Sequence, residues 1–313
     1  MKAKLIRRAL IRWYERHCRD LPWRRTLDPY AIWISEIMLQ QTRVAAVIPY
    51  YEKFLAAFPD AASLARATEH QVVTMWAGLG YYSRARNLHK AAKQIGSETF
   101  PGDYESIRAL AGIGDYTAAA VASIAFDLPH AAVDGNVRRV IIRLFNKVDA
   151  RVRIEADRLL DRTNPGRWNQ AMMELGATVC TPRDPHCAAC PLARHCEARK
   201  AGTEHSLPLR KPKPETIRIE KTLLIIRRGE KLLLVPSPRV AGFWDLPEPF
   251  DGVRIGATIG EFRHSITHHR YRFVVRQARA ARRTTDHRWF PPAEWSEIPL
   301  STTARKALRF LET

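Results

Sequence analysis

The feature that most constrains the chain is a group of four cysteines between Cys180 and Cys196, in CTPRDPHCAACPLARHC. Thiols this close together can form disulfides, bind zinc or hold an iron–sulfur cluster. The N-terminus lacks the apolar core of a secretory signal, so we expect a reducing cytoplasm and a metal centre. Zinc sites favour two short C-x2-4-C pairs, whereas the spacing here is C-x6-C-x2-C-x5-C. The spacing favours a cluster and leaves zinc open.

The chain is strongly basic, with 51 Lys and Arg residues against 32 Asp and Glu residues and a net charge of +19 at pH 7. A field of this sign attracts polyanions, so DNA or RNA is the predicted partner, and a basic protein without a nucleic-acid partner is the alternative. No run of about 18 apolar residues occurs, so we expect no membrane partner. We expect a cytoplasmic, nucleoid-associated monomer.

The periodicity of the sequence changes near residue 200. Before that point apolar residues recur at helical spacing, and Asp28-Pro29 predicts a capped helix start. After it comes a Pro- and Lys-rich stretch without apolar period, followed by β-branched runs and a final helical segment. We predict a mainly α region over 1–200, a linker over 201–216 and a small α+β domain over 217–313.

The segment LAGIGDYTAAA places Gly112 and Gly114 between two helical runs. A hairpin of this kind leaves backbone N–H groups unpaired at a helix N-terminus, where a DNA phosphate can accept them. A plain turn between helices would use the same glycines. Further along, HAAVDGNVRRVIIRLF begins a helix at Asp134, whose carboxylate is by itself explained as an N-cap.

A hairpin followed by an aspartate at a helix start resembles the helix-hairpin-helix DNA glycosylase superfamily. Three further features resemble its adenine DNA glycosylases of the MutY type: the helix WISEIMLQQTRVAAVIPYY, the loop WAGLGYYSRARNL and the cysteine spacing. The resemblance implies the helix-hairpin-helix glycosylase fold, with a six-helix module near 22–125 and a cluster module formed by the N-terminal helix and 126–200. It also implies a [4Fe–4S] cluster bound by Cys180, Cys187, Cys190 and Cys196.

Glu36 lies on the first of these stretches among apolar neighbours, a setting that would raise the pKa of its carboxyl group and suit a general acid. By resemblance Glu36 protonates adenine, Asp134 stabilises the developing sugar cation and Asn136 orients the site. Endonuclease III has a nucleophilic lysine where this chain has Tyr116, which cannot form an imine. We therefore expect a monofunctional glycosylase.

The resemblance assigns further contacts with DNA. An enzyme that acts on a base must flip the target nucleotide out of the duplex. The DNA-binding residues are predicted to be Gln41, Thr42, Leu79, Tyr81, Gly112 and Gly114. The adenine-binding residues are predicted to be Arg19, Trp23, Arg24 and Gln170.

The C-terminal part resembles the Nudix-like domain that inspects 8-oxoguanine in this family, through the turn GFWDLPEP. The Glu-rich metal box of Nudix hydrolases is absent from the sequence, which argues against nucleotide hydrolysis. The family's Phe-Ser-His element falls on HSITHHRY, where Thr267 and His268 keep the hydroxyl and imidazole, but Ile266 replaces the aromatic ring.

The resemblance implies removal of adenine mispaired with 8-oxoguanine or guanine in double-stranded DNA. Three alternatives stay open: a catalytically silent DNA-binding module, a thymine–guanine mismatch glycosylase and an endonuclease III-like enzyme. The fifth cysteine, Cys18, is outside the cysteine pattern, and we predict it to be a buried residue of the first helix.

Overall fold

The computed structural model describes residues 2–147, 151–209, 215–239, 242–266, 268–280, 287–295 and 298–311. The chain forms two compact units, one of residues 1–75 and 83–211 and one of residues 76–82 and 212–313. The first is helical and the second contains a β-sheet, which confirms the predicted fold class. No helix in the described ranges is both long and apolar enough to cross a membrane.

Short α-helices joined by turns build the first unit, and they include all the helical segments predicted from the sequence. The helices are α1 (Lys2–His17), α2 (Pro29–Leu39), α3 (Val44–Ala57), α4 (Ala61–Arg66), α5 (Glu69–Met75), α6 (Ser83–Ile95), α7 (Tyr104–Arg108), α8 (Asp115–Phe126), α9 (Gly135–Phe145), α10 (Val152–Leu159), α11 (Pro165–Thr178) and α12 (Glu197–Ala201). The short helices α4, α7, α10 and α12 were not predicted.

Aspartate side chains cap the N-termini of helices α2 and α9. The carboxylate of Asp28 accepts hydrogen bonds from the backbone N–H groups of Tyr30 and Ala31, at the start of α2. The carboxylate of Asp134 accepts one from the N–H of Val137, at 2.7 Å, at the start of α9. Both bonds satisfy donors that a helix leaves unpaired in its first turn.

Helices α1, α9, α10 and α11 share one apolar core, which includes Leu10, Ile141 and Met172. Helices α9 and α11 approach each other closely at Gly176, because a Cβ atom added there would lie 2.6 Å from the Cβ of Asn136. Any larger residue at this position would push Asn136 and the start of α9 away.

The prediction that Cys18 is buried is wrong, since Cys18 is exposed. The buried stripe of α1 runs through Ile6, Leu10 and Tyr14, a spacing of four residues that would reach position 18 next. Helix α1 ends at His17, so the chain turns before Cys18 can continue the stripe.

The second unit contains a mixed sheet with the strand order β3-β2-β1-β5-β4, and β6 pairs with β2. Strands β1 and β5 are parallel, and the other pairs are antiparallel. The elements are β1 (Ile217–Arg228), β2 (Lys231–Pro236), β3 (Trp244–Asp245), β4 (Val253–Ile266), β5 (His269–Ala280), β6 (Arg288–Phe290) and α13 (Thr302–Leu308). Strands β1, β2 and β5 follow the predicted β-branched runs and helix α13 the predicted final helical segment, whereas β3, β4 and β6 were not predicted.

Strand β1 is covered on both faces, as its continuous apolar run LLII requires. Leu223 and Ile225 pack on one face in a core that includes residues of α13, while Leu224 and Ile226 pack on the other face.

Residues 210–214 of the predicted linker lie outside the described residues. Before them, the N–H of Thr203 bonds the carbonyl of Ala198 at 2.9 Å, so this part of the chain turns back on α12.

Candidate active site

A pocket of about 620 Å³ opens in the first unit, and it brings together ten of the residues predicted from the sequence. Helices α2, α8, α9 and α11 and the segment after α1 all contribute side chains to it. The ten residues are Arg19, Trp23, Arg24, Glu36, Gln41, Thr42, Tyr116, Asp134, Asn136 and Gln170.

Glu36 lies on α2 at one wall of the pocket, with only 6% of its surface exposed. The Tyr116 hydroxyl donates a hydrogen bond of 2.6 Å to its Oε2 atom. The pKa of Glu36 is raised to about 7, mainly by burial and also by the charge of Asp134, which together outweigh the Tyr116 hydrogen bond and the Arg24 charge. A carboxyl group with this pKa can give up or take a proton at neutral pH.

Tyr116 lies in the first turn of α8 and reaches the same part of the pocket. Burial and the neighbouring Glu36 carboxylate raise the pKa of its phenol well above the ordinary value. The hydroxyl therefore stays protonated and acts as a donor to Glu36. Its other neighbour is the Met173 sulfur, 3.6 Å away.

Asp134 is held by two donors, the backbone N–H of Val137 at 2.7 Å and the Asn136 side-chain amide at 2.8 Å. Asn136 in turn accepts a hydrogen bond of 2.9 Å from Arg139, one turn further along α9. Arg139 is 8% exposed and also donates to the backbone carbonyl of Cys180 at 2.7 Å. A continuous chain of hydrogen bonds thus fixes the Asp134 carboxylate.

Arg139 lines the pocket but was not predicted from the sequence. Its position three residues after Asn136 on the same helix is the signal that could have identified it.

Glu174 is a second buried glutamate of the pocket, on α11, and it was also missed. Arg19 donates through Nε and Nη2 to the two carboxylate oxygens at 2.7 and 2.8 Å, and Arg24 donates to Oε2 at 2.7 Å. Burial opposes ionisation, but these hydrogen bonds outweigh it and lower the pKa of Glu174 to about 2. Glu174 follows Gln170 by four residues, so helical spacing could have placed it in the pocket.

Trp23 and Gln170 are each fixed by a tyrosine. The Trp23 ring lies edge-on to Tyr51, with 5.4 Å between the ring centroids. The Gln170 amide oxygen accepts a hydrogen bond of 2.8 Å from the Tyr14 hydroxyl. Each of these pocket side chains therefore has a defined orientation.

Gln41 and Thr42 follow the C-terminal end of α2, where Gln41 has a left-handed backbone with φ of 58°. The side chain of the buried Arg84 stabilises this turn by hydrogen bonds. It donates to the carbonyls of Ile37 and Gln40 and, at 3.1 Å, to the Thr42 hydroxyl. Carbonyls at a helix end lack partners within the helix, so Arg84 fixes the turn that carries Gln41 and Thr42.

Leu79 and Tyr81 belong to the segment 76–82 of the second unit. Leu79 is buried, whereas 51% of the Tyr81 surface is exposed. The Trp76 indole N–H donates to the carbonyl of Gly80 at 3.1 Å, which closes this segment into a compact loop.

Gly112 and Gly114 lie between α7 and α8, as predicted. Gly112 has a left-handed φ of 76°, and a Cβ atom there would lie 2.6 Å from the Cβ of Asn87. Gly114 is the N-cap residue of α8 and has open space where a side chain would project. The hairpin therefore leaves the N-terminus of α8 accessible at Gly114.

Cys180, Cys187, Cys190 and Cys196 line one small cavity beside α9. Burial raises the pKa of the Cys190 thiol to about 12. Burial also raises the pKa of the Cys187 thiol, and the nearby Glu204 carboxylate adds to the effect. Four mutually close thiolates need a compensating cation, and an all-sulfur donor set suits an iron–sulfur cluster or zinc. A [4Fe–4S] cluster binds each thiolate at a separate iron atom, and in the described part of the chain no three His, Cys, Asp or Glu residues are placed to hold one single metal ion.

Of the two predicted 8-oxoguanine contacts, Thr267 lies outside the described residues. His268 is partly exposed between β4 and β5, and its ring centroid lies 4.1 Å from that of His269.

The family described as HhH-GPD superfamily base excision DNA repair protein matches residues 34–164. The adenine DNA glycosylase of Homo sapiens is 42% identical over 222 residues, covering 64% of this chain and 41% of the human protein. The adenine DNA glycosylase of Buchnera aphidicola subsp. Baizongia pistaciae (strain Bp) is 35% identical over 256 residues, covering 78% of this chain and 72% of that protein.

A solved structure of a thermostable thymine-DNA glycosylase has a TM-score of 0.59 and 28% identity, covering 64% of this chain and 97% of that one. The helical fold of the first unit is therefore similar to that of a glycosylase named for thymine. The chain spans less than half of the human relative, with 41% of that protein covered.

Proposed function

We propose, given that the chain belongs to the family of adenine DNA glycosylases, that it removes adenine from DNA by hydrolysing the N-glycosidic bond. One observation carries the proposal: Glu36, whose pKa is raised to about 7, shares a pocket with the carboxylate of Asp134. Hydrolysis of a glycosidic bond uses a pair of carboxyl groups, one that gives a proton to the leaving group and one that supports the sugar.

Glu36 would act as the general acid. Adenine leaves poorly as an anion, so a proton must reach the base as the bond to the sugar breaks. At neutral pH a substantial fraction of Glu36 carries that proton, because its pKa is about 7. The Tyr116 hydroxyl, 2.6 Å from Oε2, would hold the carboxyl group in position.

Asp134 would supply the negative charge that faces the sugar. The sugar gains oxocarbenium character as adenine departs, and a fixed carboxylate lowers the energy of that state. The bonds from Val137 and Asn136 keep the Asp134 carboxylate from moving as the charge develops. A water molecule then adds to the sugar.

The other walls of the pocket would bind the flipped adenine, which cannot be reached inside a duplex. Trp23 offers a ring, Gln170 an amide, and the Arg19, Arg24 and Glu174 group offers charged donors and acceptors. We propose, from the resemblance, that Gln41 and Tyr81 act as wedges in the duplex, with Leu79 supporting and Thr42 near the opposite base. The hairpin at Gly112 and Gly114 would bind a phosphate through backbone N–H groups.

We further propose that the enzyme is monofunctional. A Schiff-base lyase needs an amine beside the sugar, and the corresponding position here is the phenol of Tyr116. Because that hydroxyl is already the donor to Glu36, its role in the site would be to orient the acid.

The cysteine cavity would hold a [4Fe–4S] cluster through Cys180, Cys187, Cys190 and Cys196. The cluster would supply a structural cross-link among the four thiolates. The residues around it would shape a DNA-binding surface, with the exposed Arg183 and Arg194 available to phosphates.

The partner would be double-stranded DNA with adenine opposite 8-oxoguanine or guanine. This proposal rests on the family and on the C-terminal resemblance, in which a Nudix-like domain would contact 8-oxoguanine through Thr267 and His268. Thymine opposite guanine is the second candidate substrate, because a thymine-DNA glycosylase shares the fold of the first unit at a TM-score of 0.59.

Single-turnover assays on duplexes with A opposite 8-oxoguanine, A opposite G and T opposite G test these proposals. We expect release of adenine and not thymine. Glu36→Gln should lower the rate by about 10²-fold or more, since the general acid is lost. The exposed Glu98→Gln should not change it. Borohydride added to the same reactions should trap no covalent adduct.

Three outcomes would contradict the proposals in different ways. Unchanged adenine release by Glu36→Gln would remove Glu36 as the acid, and thymine release would favour the second candidate. An efficiently trapped adduct would show that an amine attacks the sugar.

A further inference from the structure

The cysteine cavity contains a buried cation that the proposed function does not use. Arg143, on α9, is only 2% exposed. Its Nη1 atom lies 3.4 Å from the Cys180 sulfur and donates to the carbonyl of Thr181 at 2.6 Å. Its Nε atom donates to the carbonyl of Leu207 at 2.9 Å. These bonds aim one N–H group of the guanidinium at a cysteine sulfur and hold it there.

A buried anion lines the same cavity. Glu204 follows α12, and its side chain is 16% exposed. Its Oε2 atom is buried without a hydrogen-bond partner among the residues that the structure describes. The other carboxylate oxygen lies 3.9 Å from the His205 ring, which is beyond hydrogen-bond distance.

Burying a carboxylate oxygen without a hydrogen-bond partner carries a desolvation cost, so its position needs an explanation. Ordinary packing would turn such a group toward solvent or toward a donor. The exposed Arg199 and the ring of His186 also line the cavity, but neither forms a hydrogen bond with Glu204 among the described contacts. Glu204 instead places its charge beside the four cysteines.

We propose that Arg143 and Glu204 set the oxidation potential of the cluster in opposite directions. The inference rests on the proposed function, since it requires the [4Fe–4S] cluster to be bound. Net charge, hydrogen bonds to sulfur and burial are the variables by which a protein sets the potential of a cluster. Arg143 opposes oxidation through its positive charge and its N–H group at the Cys180 sulfur, and Glu204 favours oxidation through its negative charge.

The reaction concerned is the one-electron oxidation of the [4Fe–4S]²⁺ core to [4Fe–4S]³⁺, with an electrode as the electron acceptor. A unit charge a few ångströms from the cluster, at the effective dielectric of a protein, changes the ratio of oxidised to reduced cluster by about tenfold or more at a fixed potential. Because the two residues have opposite charges, their effects on that ratio have opposite signs.

Voltammetry of the purified, cluster-loaded full chain tests the proposal. Glu204→Gln should move the oxidation potential to a more positive value, and Arg143→Gln should move it to a more negative one. Arg143→Lys keeps the charge but loses the fixed N–H geometry, so it should give a smaller negative shift. Glu197→Gln is the matched control, because Glu197 directly follows Cys196 but pairs with Lys2 at 2.6 Å and does not line the cavity.

A second readout follows the paramagnetic 3+ core by electron paramagnetic resonance during titration with ferricyanide. The Glu204→Gln protein should need more oxidant than the wild type to give the same signal. Should Arg143→Gln fail to retain the cluster, Glu204→Gln and Arg143→Lys still decide the matter.

Iron and sulfide analysis of the wild type comes first, because it separates two kinds of failure. A wild type that binds no cluster after reconstitution would overturn both the proposed cofactor and this inference. A cluster-loaded wild type whose potential is shifted no more by Glu204→Gln than by Glu197→Gln would overturn this inference alone. A shift of Glu204→Gln to a more negative potential would also overturn it.

Discussion

Glu36 and Glu174 are two buried glutamates on different walls of one pocket, and their carboxyl groups behave in opposite ways. Glu174 is 1% exposed and Glu36 is 6% exposed, so burial alone would raise the pKa of both. The pKa of Glu36 is about 7, as burial predicts, whereas that of Glu174 is about 2. Burial alone therefore does not explain the difference between the two carboxyl groups.

The difference lies in the donors that each carboxylate receives. Glu174 has two guanidinium groups, from Arg19 and Arg24, and the backbone N–H of Arg19. Glu36 has the uncharged hydroxyl of Tyr116 and a neighbouring negative charge on Asp134. The pocket thus keeps Glu174 charged and leaves Glu36 able to carry a proton near neutral pH.

The largest expected effect comes from removing one guanidinium from Glu174. Arg24→Ala should lower the free energy of unfolding by about 3 to 5 kcal/mol at pH 8, since it partly unpairs a buried carboxylate. Arg25→Ala is the matched control, because Arg25 pairs with the exposed Asp20 and should change stability by less than about 1 kcal/mol. Denaturant unfolding of both variants measures the two values.

The comparison predicts a pH dependence for the same pair of variants. The depressed pKa of Glu174 contributes stability above pH 4.5, and this contribution is lost as the pH falls toward 2. The deficit of Arg24→Ala should therefore shrink on acidification while that of Arg25→Ala stays small. Equal losses in the two variants at pH 8 would mean that burial of the pair has no energetic consequence.

The two glutamates should also respond with opposite signs to loss of charge. Glu36 has a folded-state pKa of about 7 against an ordinary value of 4.5, so the folded protein loses stability as the pH rises through this range. Each pKa unit corresponds to about 1.4 kcal/mol, so Glu36→Gln should gain about 3 kcal/mol at pH 8 and nothing below pH 4.

Glu174→Gln should lose stability at pH 8, because its carboxylate is favoured in the folded state. Thermal or denaturant unfolding at pH 4 and pH 8 provides both results. A stability gain in both variants would show that the arginines do not compensate Glu174. A loss in both would remove the stability cost assigned to Glu36.

The parts of the site that could be predicted from the sequence are those that sit within a short motif. Asp134 and Asn136 adjoin a helix start, and Glu36 lies in a distinctive helix. Helical spacing from Gln170 could have placed Glu174 in the pocket, but its pairing with Arg19 spans 155 positions, and no local pattern reports a charge partner that far along the chain. The pKa difference between the two glutamates therefore belongs to the tertiary structure.

The same limit applies to the fold. Helices and the apolar strand β1 follow local periodicity, but β4 contains two glycines and register shifts near Thr258 that break strict alternation. Its pairing with β5 supplies the order that its own sequence lacks. Cys18 shows the reverse case, in which a regular spacing continued past the residue where the helix ended.

The smallest expected effect tests the single donor of Glu36. Tyr116→Phe removes a hydrogen bond that favours the charged carboxylate, so the pKa of Glu36 should rise further. A net contribution of about 1 kcal/mol corresponds to about 0.7 pH unit. If Glu36 is the general acid, as proposed, single-turnover adenine release should fall as the pH rises through 7 in the wild type and at a higher pH in the variant.

Tyr14→Phe is the control for that measurement, because the Tyr14 hydroxyl donates to Gln170 and not to Glu36. Any change in its rate should be the same factor at every pH, so the pH at which the rate falls should match the wild type. If Tyr116→Phe moves the fall to a lower pH, the hydroxyl must favour the protonated carboxyl group. Tyr116 would then raise the pKa of Glu36, and the contrast with Glu174 would no longer rest on the strength of the donors alone.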